Sequence, residues 1–291
     1  MKRLLAIWTL GCLVGSLPAY PWWQTGHKAI ARLAAFHLTP AARTRLARIL
    51  SVPDNPTAVA DALAAASVWA DETKAETQTG NWHFINLNLE DDKSDIPKRC
   101  PHNNCAPARI HLFAVQLAAK TPDMQWSDLD ALRYVIHLVG DVHQPLHTVT
   151  DDDLGGNCEI LPFPIQRADN LHAVWDGGIL AEISHSDREL ANRLDKDIAS
   201  WSSFRRYWAA RGDQNDWTWE SHLLAVKYIY HRLHIPVEPP KHVADCQEAP
   251  AAIANFHPAT DAAYVEEMKP IVRMQLEKAG LRLSRLLNET F

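Results

Sequence analysis

A chain of 291 residues, 47% hydrophobic and with only 11 glycines, is long enough to bury a sizeable core and is no low-complexity or repeat protein. Its 29 basic and 35 acidic residues give a net charge of −6, which excludes a protein that grips long nucleic acid through a broadly basic surface. Any polyanion it meets must be met locally, over a few phosphates, with the cations coming mainly from bound metal.

Met1 to Leu17 sets Lys2 and Arg3 ahead of an apolar run too short to span a bilayer and ending in small residues and proline. That is the pattern of a secretory signal peptide, so the expected division is a leader at 1–21 and a folded domain at 22–291, exported to the medium or the periplasm. Cleavage after Ala19 suits a peptidase that prefers small residues, and removal of Tyr20-Pro21 would then leave Trp22 first. Without Lys2 and Arg3, 27 basic residues face 35 acidic ones and the net charge becomes −8. Cys12 leaves with the leader, and the four remaining cysteines, Cys100, Cys105, Cys158 and Cys246, point to two disulfides in an exported chain.

Apolar residues recur with helical period in Lys28–Leu38, Ala41–Leu50, Thr57–Ala70, Arg109–Ala119, Ser127–Val142 and Asp261–Leu287, and no set of alternating strands is convincing. The expected fold is therefore all-α, a single mostly helical domain. Ser127 with Asp130 three residues on reads as the N-cap of a central helix that Pro145 ends, which puts His137 and Asp141 mid-helix and His147 in the turn beyond. Asn86–Ala108 and the Pro-rich Ile235–Pro258 read as surface loops.

The chemistry concentrates between Asp71 and Asp176. Residues i and i+4 share a helix face, so His137 with Asp141 and His172 with Asp176 each form a side-by-side imidazole–carboxylate pair. One such pair arises by chance, but two of them with His147, His83 and Asp71 point to metal. Asp141, lying between two sets of histidines, can bridge two ions through its two oxygens. His143, two residues from Asp141, points off that face and reads as structural, and the remaining histidines, without spaced acidic partners, read as surface or packing residues.

W-x-x-x-G-H (Trp22 to His27), W-A-D (Trp69 to Asp71), W-H-F-I-N (Trp82 to Asn86), H-L-V-G-D-V-H-Q-P-L-H (His137 to His147), G-G-N (Gly155 to Asn157) and N-L-H-A-V-W-D (Asn170 to Asp176) follow one another as in the S1/P1 nuclease family, which this chain resembles. The resemblance implies a helical domain of the phospholipase C/P1 nuclease type holding three Zn²⁺. Asp71, His83, His137 and Asp141 would hold one zinc, and His147, His172 and Asp176 the second. The third would take His27, the other oxygen of Asp141 and the α-amino nitrogen and carbonyl of Trp22. It further implies a Cys100–Cys105 pair across a short loop, which leaves Cys158 with Cys246.

The implied activity is endonucleolytic hydrolysis of single-stranded DNA and RNA to 5′-phosphate products, with 3′-nucleotides as a further substrate class, by a monomer without stable membrane association. Asp71 would orient the attacking water as well as bind metal, Lys74 would stand near the phosphate and Phe84 would stack on a base. Taken as ordinary residues, Lys74 is a solvated helix-surface cation and Phe84 a core ring. Two rival readings remain open: a zinc phospholipase C, which would need an apolar or amphipathic lipid-facing surface, and a non-catalytic zinc-binding protein, which would favour cysteine ligands.

Overall fold

The computed structural model describes residues 23–119, 125–166, 168–237 and 243–291. The leader at 1–21, Cys12 and the expected ligand Trp22 lie outside the described residues.

Helices α1 (Trp23–Phe36), α2 (Pro40–Leu50) and α3 (Pro56–Ala66) come first. Thr39 and Asn55 open α2 and α3 by accepting from the amides of Ala42 and Ala58, and each is followed by a proline whose missing N–H costs nothing in a first turn. A break at Ser67–Val68 separates α3 from α4 (Trp69–Thr77), so the single helix expected over 57–70 is two. The break leaves the Ser67 carbonyl outside any helical ladder, where it accepts from His137 Nδ1 at 2.7 Å.

Next come α5 (Ala106–Ala119) and α6 (Asp128–Asp141), the latter capped by Ser127 Oγ, which accepts from Asp130 N at 3.1 Å. α6 ends four residues before Pro145, because the amides of His143 and Gln144 turn back to Gly140 and Asp141 carbonyls at 2.9 and 3.0 Å. His137 and Asp141 thus occupy its last turn rather than its middle.

A hairpin of β1 (Ile160–Ile165) and β2 (Ala168–Asn170), which alternation in the sequence did not reveal, leads into α7 (Leu171–Ala173). α7 widens into a π-helical stretch (Val174–Gly178) before α8 (Ile179–Ala181). Three further helices were absent from the periodicity reading: α9 (Asp187–Ala199), α10 (Ser203–Ala210) and α11 (Gln214–Ala225). α11 runs through a second π-helical stretch into α12 (His231–Leu233), followed by the short α13 (Ala251–Ala254) and the long α14 (Ala262–Thr290). The all-α architecture expected from the sequence is what is found, with the hairpin as its one small sheet among the described residues.

One core joins these helices: Ile30 and Leu33 of α1, Leu63 of α3, Tyr134 and Val139 of α6 and Leu276 of α14 are all buried in a single cluster. α1 and α14 approach closely at Gly280, where an added Cβ would lie 2.5 Å from Leu33 Cδ2. Among the described residues no helix is long and apolar enough to cross a membrane.

Disulfides join Cys100 to Cys105 and Cys158 to Cys246, with sequence separations of 5 and 88. Loop-closure entropy for these separations corresponds to about 2 kcal/mol for the short loop and about 4–5 kcal/mol for the long one. Thermal unfolding should show a larger drop in Tm for Cys246→Ser than for Cys105→Ser.

Glu277 of α14 is buried, and burial, with Asp197 nearby, pushes its carboxyl up to about 7. An acid raised in the folded state loses stability as pH climbs from its unfolded value toward 7. The stability gained by Glu277→Gln in urea titrations should therefore be greater at pH 8 than at pH 5.

Candidate metal centre

The eight described candidate ligands reach one place from six segments. α1 supplies His27, α4 Asp71, the 3₁₀ turn Gly80–His83 its last residue, the end of α6 His137 and Asp141, the 3₁₀ turn Pro145–Thr148 His147, and the α7/π-helical run His172 and Asp176. Asp176 sits in the widened stretch rather than in a regular α-helix, yet its Oδ2 remains 3.3 Å from His172 Nε2. Short π-helical insertions of this kind are frequent at functional sites.

Asp141 is the hub. It is wholly buried, and neither of its oxygens has a hydrogen bond of good geometry with a described residue. Oδ2 lies 3.0 Å from His83 Nδ1 and 3.2 Å from His137 Nε2, while Oδ1 lies 3.5 Å from His27 Nε2 and 3.4 Å from His147 Nδ1. Asp71 Oδ1 completes the first group at 3.5 Å from His83 Nδ1 and 3.6 Å from His137 Nε2. Four ligand atoms held about 2.0–2.1 Å from one zinc in a tetrahedron stand about 3.3–3.4 Å apart. The 3.0–3.6 Å that separate the His83 and His137 nitrogens from the oxygens of Asp71 and of Asp141 are of that order. The second group sets His147 Nε2 3.2 Å from Asp176 Oδ1, with the His147 and His172 rings stacked.

Three trios of donors each gather within 4.8 Å: Asp71, His83 and His137; His27, His137 and Asp141; and His147, His172 and Asp176. Five imidazoles and three carboxylates in a buried cluster are a donor set suited to zinc rather than to the all-oxygen cations. The residues present therefore fit metal.

The imidazoles are held from behind. Nδ1 of His137, His147 and His172 donates to the carbonyls of Ser67, His83 and Gly155 at 2.7, 3.1 and 2.7 Å, which turns Nε2 of each toward the carboxylates. Gly155 is itself fixed by Asp153, whose Oδ1 accepts from its amide at 3.0 Å and whose Oδ2 accepts from Tyr230 Oη at 2.5 Å. Gln144 donates to Asp176 Oδ1 at 2.6 Å and accepts from Leu146 N, also at 2.6 Å. Sequence reasoning did not single out Ser67, Gln144, Asp153 or Tyr230. Gln144 lay in view inside H-Q-P-L-H, whereas the others act through carbonyls or from far along the chain.

Burial disfavours charge at His137, but Asp141 and Asp71 outweigh it and hold the imidazole at about 9. At His27, burial, helped by His137, drives the pKa down to about 3. For Asp141, burial resists ionisation but the surrounding imidazoles win, and it stays well below the usual carboxylate range. His143 is buried outside the cluster, as its spacing implied: its Nδ1 donates to Val139 O at 2.6 Å and its Nε2 accepts from Arg282 at 2.9 Å.

Beside the cluster opens a cavity of about 550 Å³ lined by His83, His147, His172 and Asp176 together with Lys74 and Phe84. Lys74 Nζ stands 3.0 Å from Asp71 Oδ1, and Phe84 is half-buried. Asn81, Asn86, Asn157 and Asn170 add neutral polar groups to the lining.

Fold and site together define a class, a helical protein with a buried histidine–aspartate centre beside a cavity. The S1/P1 Nuclease family model matches residues 22–291, and the chain belongs to the S1/P1 nuclease family. It is 26% identical to Endonuclease 3 of Arabidopsis thaliana over 93% of this chain and 89% of that one. It is 30% identical to Nuclease S1 of Aspergillus oryzae over 60% of each chain, and 29% identical to Nuclease P1 of Penicillium citrinum over 53% of this chain and 57% of that one.

Gly140 lets α1 press on α6, since a Cβ there would lie 2.7 Å from His27 Nδ1. Gly140→Ala should push the His27 ring off Asp141, and elemental analysis should find about one metal fewer per chain while far-UV circular dichroism stays unchanged.

Proposed function

We propose that this chain is a zinc-dependent endonuclease that hydrolyses single-stranded DNA and RNA to products with 5′-phosphate ends. The observation that carries this reading is that Asp71 and Asp141 each bring a carboxylate oxygen within 3.0–3.6 Å of the His83 and His137 nitrogens, a spacing of metal ligands, beside a cavity that also holds a cation and an aromatic ring. Asp71, His83, His137 and Asp141 would hold one zinc, His147, His172 and Asp176 a second, and His27 with the Oδ1 side of Asp141 and Trp22 a third. Bound zinc supplies Lewis acidity: it brings the pKa of water toward about 7 and neutralises charge on phosphoryl oxygens.

The chain's own residues supply the rest. Asp71 orients the attacking water, in keeping with its contacts to His83, His137 and Lys74 at the cavity edge. Lys74 offers an ammonium to the phosphate. The Phe84 ring offers a face to a base, a contact worth about 1–3 kcal/mol and indifferent to sequence. Such a recessed site suits a flexible strand that can unstack a base, and a stiff duplex less. Breaking the bond between phosphorus and O3′ leaves the phosphate on the 5′ side, and the same site would accept 3′-nucleotides. Two disulfides support an oxidising destination outside the cytosol, and we assign the protein as a secreted or periplasmic monomer.

Elemental analysis should return three zincs per chain in the mature protein and at most one in Asp141→Ala. End-group mapping of digested single-stranded DNA and RNA should find 5′-phosphates, and the rate on duplex should be lower. Products ending in 3′-phosphate or 2′,3′-cyclic phosphate would reject the reading, because they require the other P–O bond to break.

A further inference from the structure

Helix α10, Ser203–Ala210, reads S-F-R-R-Y-W-A-A and buries only Ala209. Phe204, Tyr207 and Trp208 are 72%, 54% and 55% exposed, three large aromatic side chains within five residues. Water-facing aromatic clusters of this density mark interaction surfaces. The helix is firmly built, since Ser202 Oγ accepts from Arg205 N at 3.2 Å and Arg285 donates to the Ala210 carbonyl at 3.1 Å.

Cations stand among the rings. The Arg205 guanidinium lies 3.9 Å over Trp201, and that of Arg211 lies 5.0 Å from Tyr207 and 5.4 Å from Trp208. Arg205 and Arg206 are exposed, and among the described residues neither takes part in an ion pair. Beside the helix runs a groove of about 360 Å³ lined by Trp201, Phe204, Trp208, Arg205, Lys278 and Arg282. Among the described residues the carboxylate that lines it is Glu220, shared by Lys278 and Arg282, so three lining cations meet one lining anion, with Glu277 acting on Arg205 from outside the groove, on a chain whose net charge is −6. The groove shares no lining residue with the cavity at the metal centre. It backs onto the turn beyond α6, because Arg282 also donates to His143.

We propose that this face is a second contact for single-stranded nucleic acid, holding the part of a long substrate that lies beyond the active site. The inference rests on the nuclease reading above. A single strand alternates flat bases with phosphates, and rings with guanidiniums set among them match that alternation. A lipid-surface helix segregates its cations to the face opposite the rings, whereas here Arg211 lies over the rings themselves.

The test uses the zinc-loaded enzyme and two surface variants, Phe204→Ala/Trp208→Ala and Arg205→Glu/Arg206→Glu. KM and kcat are measured on an oligothymidylate of roughly thirty nucleotides and on the thymidine dinucleotide. Binding of a fluorescent phosphorothioate form of the long strand is followed by anisotropy. Both variants should raise KM and Kd for the long strand about fivefold or more, with kcat and all dinucleotide kinetics unchanged. The arginine variant should also flatten the salt dependence of binding by about 1.4 in log–log slope. Unchanged long-strand values overturn the proposal, as does an equal loss on the dinucleotide. Loss of binding to phosphatidylserine vesicles, or of a dimer in sedimentation, with long-strand values unchanged assigns the face to lipid or to a second copy and equally overturns it. Failure of the wild-type enzyme to cut either substrate counts against the nuclease reading, and the anisotropy comparison still decides this one.

Discussion

The structure is organised around a buried carboxylate. Asp141 has no exposure to water, and four imidazoles approach its two oxygens at 3.0–3.5 Å. A lone carboxylate in such a place would cost several kcal/mol and would protonate instead. The surrounding imidazoles keep it ionised, and the two oxygens of one carboxylate then face two neighbouring groups of imidazoles. α1, the end of α6 and the turns carrying His83 and His147 must all converge for this to hold, so the core that fixes those helices is also what builds the site.

Support for the ligands comes mostly from backbone. Three imidazoles lean on carbonyls that the fold leaves unpaired: Ser67 at a helix break, His83 at the end of a 3₁₀ turn, and Gly155 in a loop tied by Asp153. Backbone carbonyls are good anchors because their positions are set by the chain path rather than by a rotamer. The same economy explains Gly140, where the missing Cβ makes room for the His27 ring.

Charge is divided unevenly over the molecule. The acidic net balance suits a protein whose affinity for phosphate comes from metal at one point rather than from a basic surface. Against that background the arginines of α10 form a local exception, set beside aromatic rings and behind the turn that follows α6. The acidic balance speaks against a broad basic surface and is compatible with a small basic patch.

The sequence by itself determined the helical class, the identity of the eight described ligand candidates and the two roles open to Asp141. Each of these is a matter of residue type at helical spacing, and spacing survives folding. It also placed His143 outside the cluster by angle alone. What the tertiary structure decided is how the six segments meet. The helix break at Ser67, the early end of α6 and the widening of α7 at Asp176 follow from hydrogen bonds made by neighbours in space rather than in sequence. α9, α10 and α11 escaped the periodicity reading because their apolar residues are sparse or mixed with aromatic and charged ones, and in α10 the rings face water. Gln144, Asp153 and Tyr230 were legible as letters but not as parts of the site, since a side chain that steadies a ligand is recognised only by the distance it spans.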